Sequence, residues 1–199
     1  EVLPTLERVD AVITDPPYGI SHSGKGIKGL TKANDFGEIM GDDGVEIAKA
    51  SFLIAKIVSD RLIFWGANYY PSVFDDGFGW IIWDKEKEGD LFSGAEIAFV
   101  NLGVKVNVFR HQWHGMIKAS GHGQSRVHPT QKPVALAIWC FEQYGEPKTV
   151  LDLFAGSGST LIACEQTKRI CYTMELDPKY CDVVIARWEK LTNQTAIKL

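Results

Sequence analysis

Short apolar runs alternate along this chain with longer amphipathic stretches, a pattern that predicts an α/β fold. Residues 9–13 form the first run and read as a buried strand, because Val12 and Ile13 favour extended structure and Pro16 and Pro17 stop it. Residues 45–60 place Ala48, Phe52, Ala55, Ile57 and Val58 near helical spacing, which predicts an amphipathic helix. Residues 62–65 are a second buried strand, ended by Gly66, and 68–73 a short helix or turn broken by Pro71. Residues 79–83 and 96–100 read as strands flanking a charged turn, and 104–109 alternate as a half-buried strand does. Past Pro129, residues 132–144 predict a helix that buries Val134, Leu136, Ile138, Trp139 and Phe141. The last third alternates regularly: strand 149–153, helix 159–166, strand 170–174, helix 178–191, the last begun by Asp177 as N-cap and Pro178. Such alternation implies a parallel sheet. Two stretches, 21–44 and 110–127, carry no period and are expected to be loops, the first mobile and able to close over a substrate.

Composition narrows the class. At 199 residues, 45% apolar and 23% charged, the chain reads as one globular domain over 1–199. No apolar run approaches the roughly 20 residues that span a bilayer, and no signal-peptide pattern opens it, so no membrane partner is expected. The first residue is Glu1 rather than methionine, so a natural start upstream is expected. Cys140, Cys164, Cys171 and Cys181 lie in apolar surroundings without a Cys-x-x-Cys pair and read as reduced residues of a cytosolic protein. The histidines at 111, 114, 122 and 128 have irregular spacing and no acid or thiol nearby, so no metal is expected.

The charge pattern changes the picture further. The net charge is −4, yet residues 97–141 contain no acid while carrying Lys105, Arg110, Lys118, Arg126 and Lys132. A second acid-free stretch, 16–34, holds Lys25, Lys28 and Lys32. Two basic segments on an otherwise acidic chain would attract a polyanion to one region and repel it elsewhere. Lys25, Lys28, Lys32, Arg110, Lys118 and Arg126 are therefore candidate nucleic-acid contacts. Trp113 in the basic loop reads either as a wedge that fills the gap left by a displaced base or as core.

Two segments carry chemistry. At the tip of the first strand stands Asp15-Pro16-Pro17-Tyr18. The prolines have no N–H, so the tip offers a carboxylate, uncommitted carbonyls and a flat ring, with little to donate. This suits a planar ring bearing an amine whose lone pair is delocalised. Acceptors at Asp15 and the Pro16 carbonyl would localise that pair and aim it at an electrophile while Tyr18 stacks on the ring. Further on, Asp152-Leu153-Phe154-Ala155-Gly156-Ser157-Gly158-Ser159-Thr160 is strand, glycine turn and helix start. Its glycines allow close backbone approach to a ligand, and the helix start offers N–H groups. The third glycine of a dinucleotide fingerprint would fall at Leu161, and no Gly-Lys-Ser/Thr follows. Glu175, at the tip of the next strand and followed by Leu176, stands where a carboxylate holds a ribose diol. Ribose without pyrophosphate points to S-adenosylmethionine.

On these residues, together with His128-Pro129-Thr130-Gln131-Lys132-Pro133 and Glu175-Leu176-Asp177-Pro178, the chain resembles the amino-group DNA methyltransferases of the beta arrangement, in which the tetrad precedes the cofactor loop. The resemblance covers nearly the whole chain. It implies a Rossmann-like, seven-stranded, mainly parallel sheet with helices on both faces, that of class I S-adenosylmethionine-dependent methyltransferases. It implies catalysis by Asp15, Pro16, Pro17 and Tyr18, and cofactor binding by Asp152, Phe154, Ala155, Gly156, Gly158, Ser159, Thr160, Glu175 and Leu176. Thr130 and Lys132 would hold the methionine carboxylate. The expected reaction moves a methyl group to N6 of an adenine flipped out of double-stranded DNA, in a prokaryotic or phage-encoded cytoplasmic enzyme of the restriction-modification kind. Asp15 in the first tetrad position leans toward adenine; N4 of cytosine, an RNA amine, or a catalytically silent DNA-binding subunit are the alternatives. No Pro-Cys pair occurs, so a carbon-5 cytosine mechanism lacks its nucleophile.

Two departures from the family pattern shape the expectations. The acid that meets the cofactor's adenine would follow a strand placed before the tetrad strand, upstream of Glu1; Glu7 and Asp10 are poor substitutes. The target-recognition span of the family is reduced here to 110–127. Recognition is then loose, or the site is short, or the 21–44 loop and a second subunit of a homodimer contribute.

Overall fold

The computed structural model describes residues 7–20, 40–74, 79–87, 93–114, 117–118, 128 and 131–199. Its elements are β1 Ala11–Thr14, α1 Glu46–Val58, β2 Leu62–Trp65, β3 Gly79–Asp84, β4 Ala95–Val100, β5 Val106–Arg110, β6 Trp113–His114, β7 Ile117–Lys118, α2 Val134–Gln143, β8 Thr149–Asp152, α3 Ser159–Gln166, β9 Ile170–Thr173 and α4 Pro178–Thr192. A 3-10 turn, Pro71–Val73, follows β2.

Seven strands form one sheet in the order β5-β3-β4-β2-β1-β8-β9. β1 lies parallel to both β2 and β8, β8 parallel to β9, and β3 parallel to β5, while β4 runs against β2 and β3. The sheet is therefore mixed and mainly parallel, with β4 reversed. Neighbours β1 and β8 send their crossovers in opposite directions: β1 passes through α1 to β2, and β8 through α3 to β9. Right-handed crossovers of opposite direction must use opposite faces. The two cores show this. Ala11, Ile13, Ile63, Trp65, Val150 and Ala163 pack with Leu136, Cys140 and Phe141 of α2 on one face. Val12, Leu62, Phe64, Phe99 and Leu151 pack with Phe52, Ala55 and Val58 of α1 on the other. The divergence leaves a crevice at the carboxyl ends of β1 and β8, where open α/β sheets bind ligands.

Boundaries shift by a residue or two from those expected, and one assignment changes. Within 110–127, Arg110 completes β5, and Trp113 and His114 pair antiparallel with Lys118 and Ile117. Two-residue strands have no period to read, which is why the segment looks like loop in sequence. Most of the 21–44 stretch lies outside the described residues. Its end is tied to the tetrad: Gly19 and Ile20 donate their N–H groups to Asp42 Oδ1 at 2.8 and 3.4 Å.

Candidate active site

The register Val12↔Leu151 sets the tips of β1 and β8 side by side. A buried side-chain bridge joins them. Thr14 donates its hydroxyl to Asp152 Oδ1 (2.9 Å) and accepts the Leu153 N–H (3.1 Å), and Asp152 Oδ1 also accepts from Phe154 N (3.1 Å). Burial pushes the Asp152 carboxyl up to about 6, with the hydroxyl and backbone donors acting against it. Asp152 thus fastens the tetrad strand to the glycine turn. One cavity of about 720 Å³ runs across both tips, lined by Asp15–Tyr18, Lys132, Phe154–Ser157, Ser159, Thr160 and Glu175–Asp177.

At the β1 tip, the Tyr18 hydroxyl donates to Asp15 Oδ1 at 2.6 Å, and the Lys132 ammonium pairs with Asp15 Oδ2. Each oxygen of a carboxylate has two lone pairs, so Asp15 keeps acceptor capacity on both. Burial pushes the Asp15 carboxyl up, and the Lys132 ammonium pulls it back only in part. Lys132 itself stays charged: burial would neutralise it, but Asp15 and Glu96 hold its ammonium above the usual range. The Tyr18 ring lies against Gly66, whose positive φ (75°) follows β2; a Cβ there would collide with the ring. Tyr69 stacks on Tyr18 with centroids 4.8 Å apart and planes at 14°.

At the β8 tip, Gly156 (φ 51°) and Gly158 (φ 75°) adopt left-handed geometry that other residues enter at a cost. Gly158 also lets α4 come close, since a Cβ would stand 3.1 Å from Val184. Glu175 folds back on this turn: Oε2 accepts from Gly156 N (2.7 Å), Oε1 from Leu176 N and Asp177 N (2.9 and 3.0 Å). Oε1 is filled by two amides, and Oε2 retains a lone pair toward the cavity. Ser159 donates to the Lys132 carbonyl at 2.7 Å, which anchors the backbone of Lys132 to the start of α3. His128 rests against Tyr180 with centroids 4.2 Å apart and faces Gly156; burial lowers its pKa to about 4, so the ring is neutral.

The expected site residues therefore separate into groups. Asp15, Pro16, Pro17, Tyr18, Asp152, Phe154, Ala155, Gly156, Ser159, Thr160, Glu175 and Leu176 share the cavity, and Gly158 shapes its turn. Lys132, expected at the cofactor carboxylate, lines the same cavity and places its ammonium on Asp15, 3.3 Å from Glu96 Oε2. Of the two readings of Trp113, wedge or core, the structure shows core. It is 7% exposed and donates Nε1–H to the Gln131 carbonyl at 2.9 Å, since its indole packs in the cluster around α2. Arg110 is exposed at the carboxyl edge, 3.6 Å from Asp84. Lys118 lies in β7, and Lys25, Lys28, Lys32, Arg126 and Thr130 lie outside the described residues. Asp10 caps the opposite end of the sheet, accepting from Lys148 N and Thr149 N, far in the fold from any ligand in the crevice.

Glu96, Lys85 and Tyr69 are the residues that sequence reasoning does not place here. Glu96 is visible as the last acid before the long acid-free stretch, set inside a strand. Among the described residues no helix is long and apolar enough to cross a membrane, and no group of His, Cys, Asp and Glu could hold a metal.

Known proteins share this fold. Residues 106–186, from β5 into α4, match the family described as DNA methylase. No curated protein sequence matches the chain. Among solved structures, the cytosine-N4-specific PvuII DNA methyltransferase superposes with a TM-score of 0.63 at 15% identity, covering 97% of this chain and 87% of its own. M1.HpyAVI in complex with SAM gives 0.58 at 18%, covering 92% and 89%. A Thermus thermophilus protein assigned as a DNA modification methylase gives 0.59 at 18%, covering 95% and 90%. The fold is that of the class I S-adenosylmethionine-dependent methyltransferases, and the segment that carries the glycine turn and Glu175 has the sequence pattern of DNA methylases.

Proposed function

We propose that the chain is an S-adenosylmethionine-dependent DNA methyltransferase that acts on an exocyclic amine, N6 of adenine. The observation that carries this reading is the single cavity in which Asp15 and Tyr18 face the glycine turn and Glu175. The residues present fit the cofactor. Glu175 Oε2 has acceptor capacity for a ribose hydroxyl, the backbone around Gly156 can approach the methionine portion, and Phe154 and Leu176 line the same cavity. When bound, S-adenosylmethionine supplies an electrophilic methyl group on sulfur.

The protein's part is orientation and electrostatics. Tyr18 offers a ring face, and the parallel Tyr69 ring supports the idea that this face takes a planar group; a base flipped from the duplex would replace Tyr69 there. Asp15 and the Pro16 carbonyl accept the amine's hydrogens, which directs its electron pair along the crevice toward the β8 tip. Arg110, exposed at the same edge, is available to phosphate.

Asp15 in the first tetrad position supports adenine. A second reading, N4 of cytosine, is favoured by the likeness to the cytosine-N4-specific PvuII enzyme. Incubation of the protein with unmethylated DNA and isotopically labelled S-adenosylmethionine, followed by nucleoside mass spectrometry, tests the proposal. N6-methyladenine is the expected product. N4-methylcytosine would keep the mechanism and move the target, and cofactor binding without any DNA methylation would overturn the enzyme reading in favour of a silent DNA-binding subunit.

A further inference from the structure

Behind Asp15 lies a chain of alternating charges drawn from four elements. Asp15 at the β1 tip pairs with Lys132 ahead of α2. Lys132 Nζ lies 3.3 Å from Glu96 Oε2 in β4, and Glu96 Oε1 accepts from Lys85 Nζ at 2.7 Å just after β3. The side chains are enclosed: 12% of Lys132, 17% of Lys85, 20% of Asp15 and 24% of Glu96 is exposed. Lys132 Nζ also sits 5.9 Å from the centroids of both Tyr18 and Trp65. The two ends of Glu96 differ. Oε1 is hydrogen-bonded to Lys85, whereas the buried Oε2 makes only the longer charge contact with Lys132 and no hydrogen bond. Enclosed ion clusters lose hydration and are poor devices for stability, so their placement calls for another reason.

We propose that Glu96, steadied by Lys85, is a positioning residue that shares Lys132 with Asp15 and so sets how strongly Asp15 holds the proton it takes from the methylated amine. The inference rests on the methyl-transfer reading above and extends it to residues that reading leaves idle. Once the amine nitrogen has used its electron pair to bond the methyl carbon, it is positively charged and must lose one N–H proton. That proton passes to an Asp15 oxygen, the N–H electron pair stays on nitrogen, and the carboxylate becomes a neutral carboxyl. A lysine bound wholly to Asp15 would make the carboxylate a reluctant base. Without the lysine, the enclosed carboxyl would stay protonated and accept nothing from the amine. Division of the lysine between two carboxylates lies between these limits.

Other titratable groups face Asp15. Tyr18 and Tyr70 are phenols that burial raises above their ordinary value, and they stay neutral through the working range. Asp152, near 6, and His128, near 4, stand at the adjoining tip; burial is the main cause for both, with the Asp15 charge raising Asp152 and the Lys132 charge lowering His128.

The test is the pH dependence of the single-turnover methylation rate on duplex DNA with saturating S-adenosylmethionine. In Glu96→Gln the lysine falls wholly to Asp15 and a neighbouring negative charge is lost, so the acid limb moves down by about one pH unit. In Lys85→Met, Glu96 draws Lys132 harder, and the limb moves up; Glu96→Asp stays near wild type. Calorimetric affinity for S-adenosylmethionine should change less than about twofold in all three, because none touches the glycine turn. Limbs that superimpose on an active wild type, or that shift together in one direction in Glu96→Gln and Lys85→Met, overturn the inference and leave the methyltransferase reading intact. Should Glu96→Gln fail to fold, the upward shift in Lys85→Met decides alone. A wild type that methylates no DNA overturns the function and this inference together.

Discussion

The tips of β1 and β8 are neighbours in the sheet and opposites in chemistry. The β1 tip is built from acceptors: two prolines remove its N–H groups, and Asp15 and backbone carbonyls remain. The β8 tip is built on a backbone turn: Gly156 gives its N–H to Glu175, Gly158 opens α3, and Glu175 adds a carboxylate that folds back on the turn. An acceptor tip suits an amine that must be stripped of hydrogens. A glycine turn with one carboxylate suits a molecule with hydroxyls that must lie close to the backbone. The pairing places an electron-rich nitrogen on one side and an electrophile on the other, which is what in-line transfer of a methyl group needs.

The contrast between the tips is most exposed to test at Asp15. Asp15→Ala removes the side-chain acceptor of the β1 tip and leaves the β8 tip untouched. Methylation should fall by about 10³-fold, while calorimetry shows S-adenosylmethionine bound as in wild type. A normal methylation rate would sink the division of labour between the tips.

The mirror experiment is Gly158→Ala. Its φ of 75° is costly for a residue with a Cβ, and the added carbon would press on Val184 at 3.1 Å. Cofactor affinity should drop about tenfold and Tm by a few degrees, for roughly 1–2 kcal/mol of strain. The rate at saturating cofactor should hold within about threefold, because Asp15 and Tyr18 keep their places. A variant with intact affinity and a collapsed rate would mean the tips are not separable.

The two tips also differ in how far the sequence reveals them. The β8 tip is local: Gly156 and Glu175 lie 19 positions apart and Ser157 and Ser159 only two, so strand, turn, helix and carboxylate can be read in one pass. The parallel strands of the last third follow from the same alternation of periods, whereas the helices on both faces are what the family resemblance implies. At the β1 tip the tetrad is legible as a motif, but its partners are not local. Lys132 arrives from 117 positions away, and Glu96 from a reversed strand whose position in the sheet no periodicity predicts. Lys132 therefore reads as a cofactor residue in the sequence, and only the fold shows that its ammonium meets Asp15. Trp113 stays open in the sequence for a related reason: an indole within a basic segment fits a wedge or a core residue, and only the packing around α2 shows it buried.

The smallest predicted effect falls on the residue that joins the two tips. Asp152 has its carboxyl raised by burial to about 6 from an ordinary 3.8. The folded protein therefore holds this proton more tightly than the unfolded chain does. Stability that Asp152 contributes in its neutral form is complete below about pH 4 and lost as pH rises through about 6. Above that, the enclosed carboxylate costs on the order of 3 kcal/mol. Asp152→Asn removes the charge yet keeps an oxygen for Thr14 and Phe154, so the bridge between the strands survives. Thermal melts should show Asp152→Asn above wild type by about 5 °C at about pH 8, with the gap closing as pH falls toward about 4. A gap that does not change with pH would mean that the charge of Asp152 is already compensated in the crevice, and that the two tips are joined by an ion rather than by a hydrogen-bonded bridge.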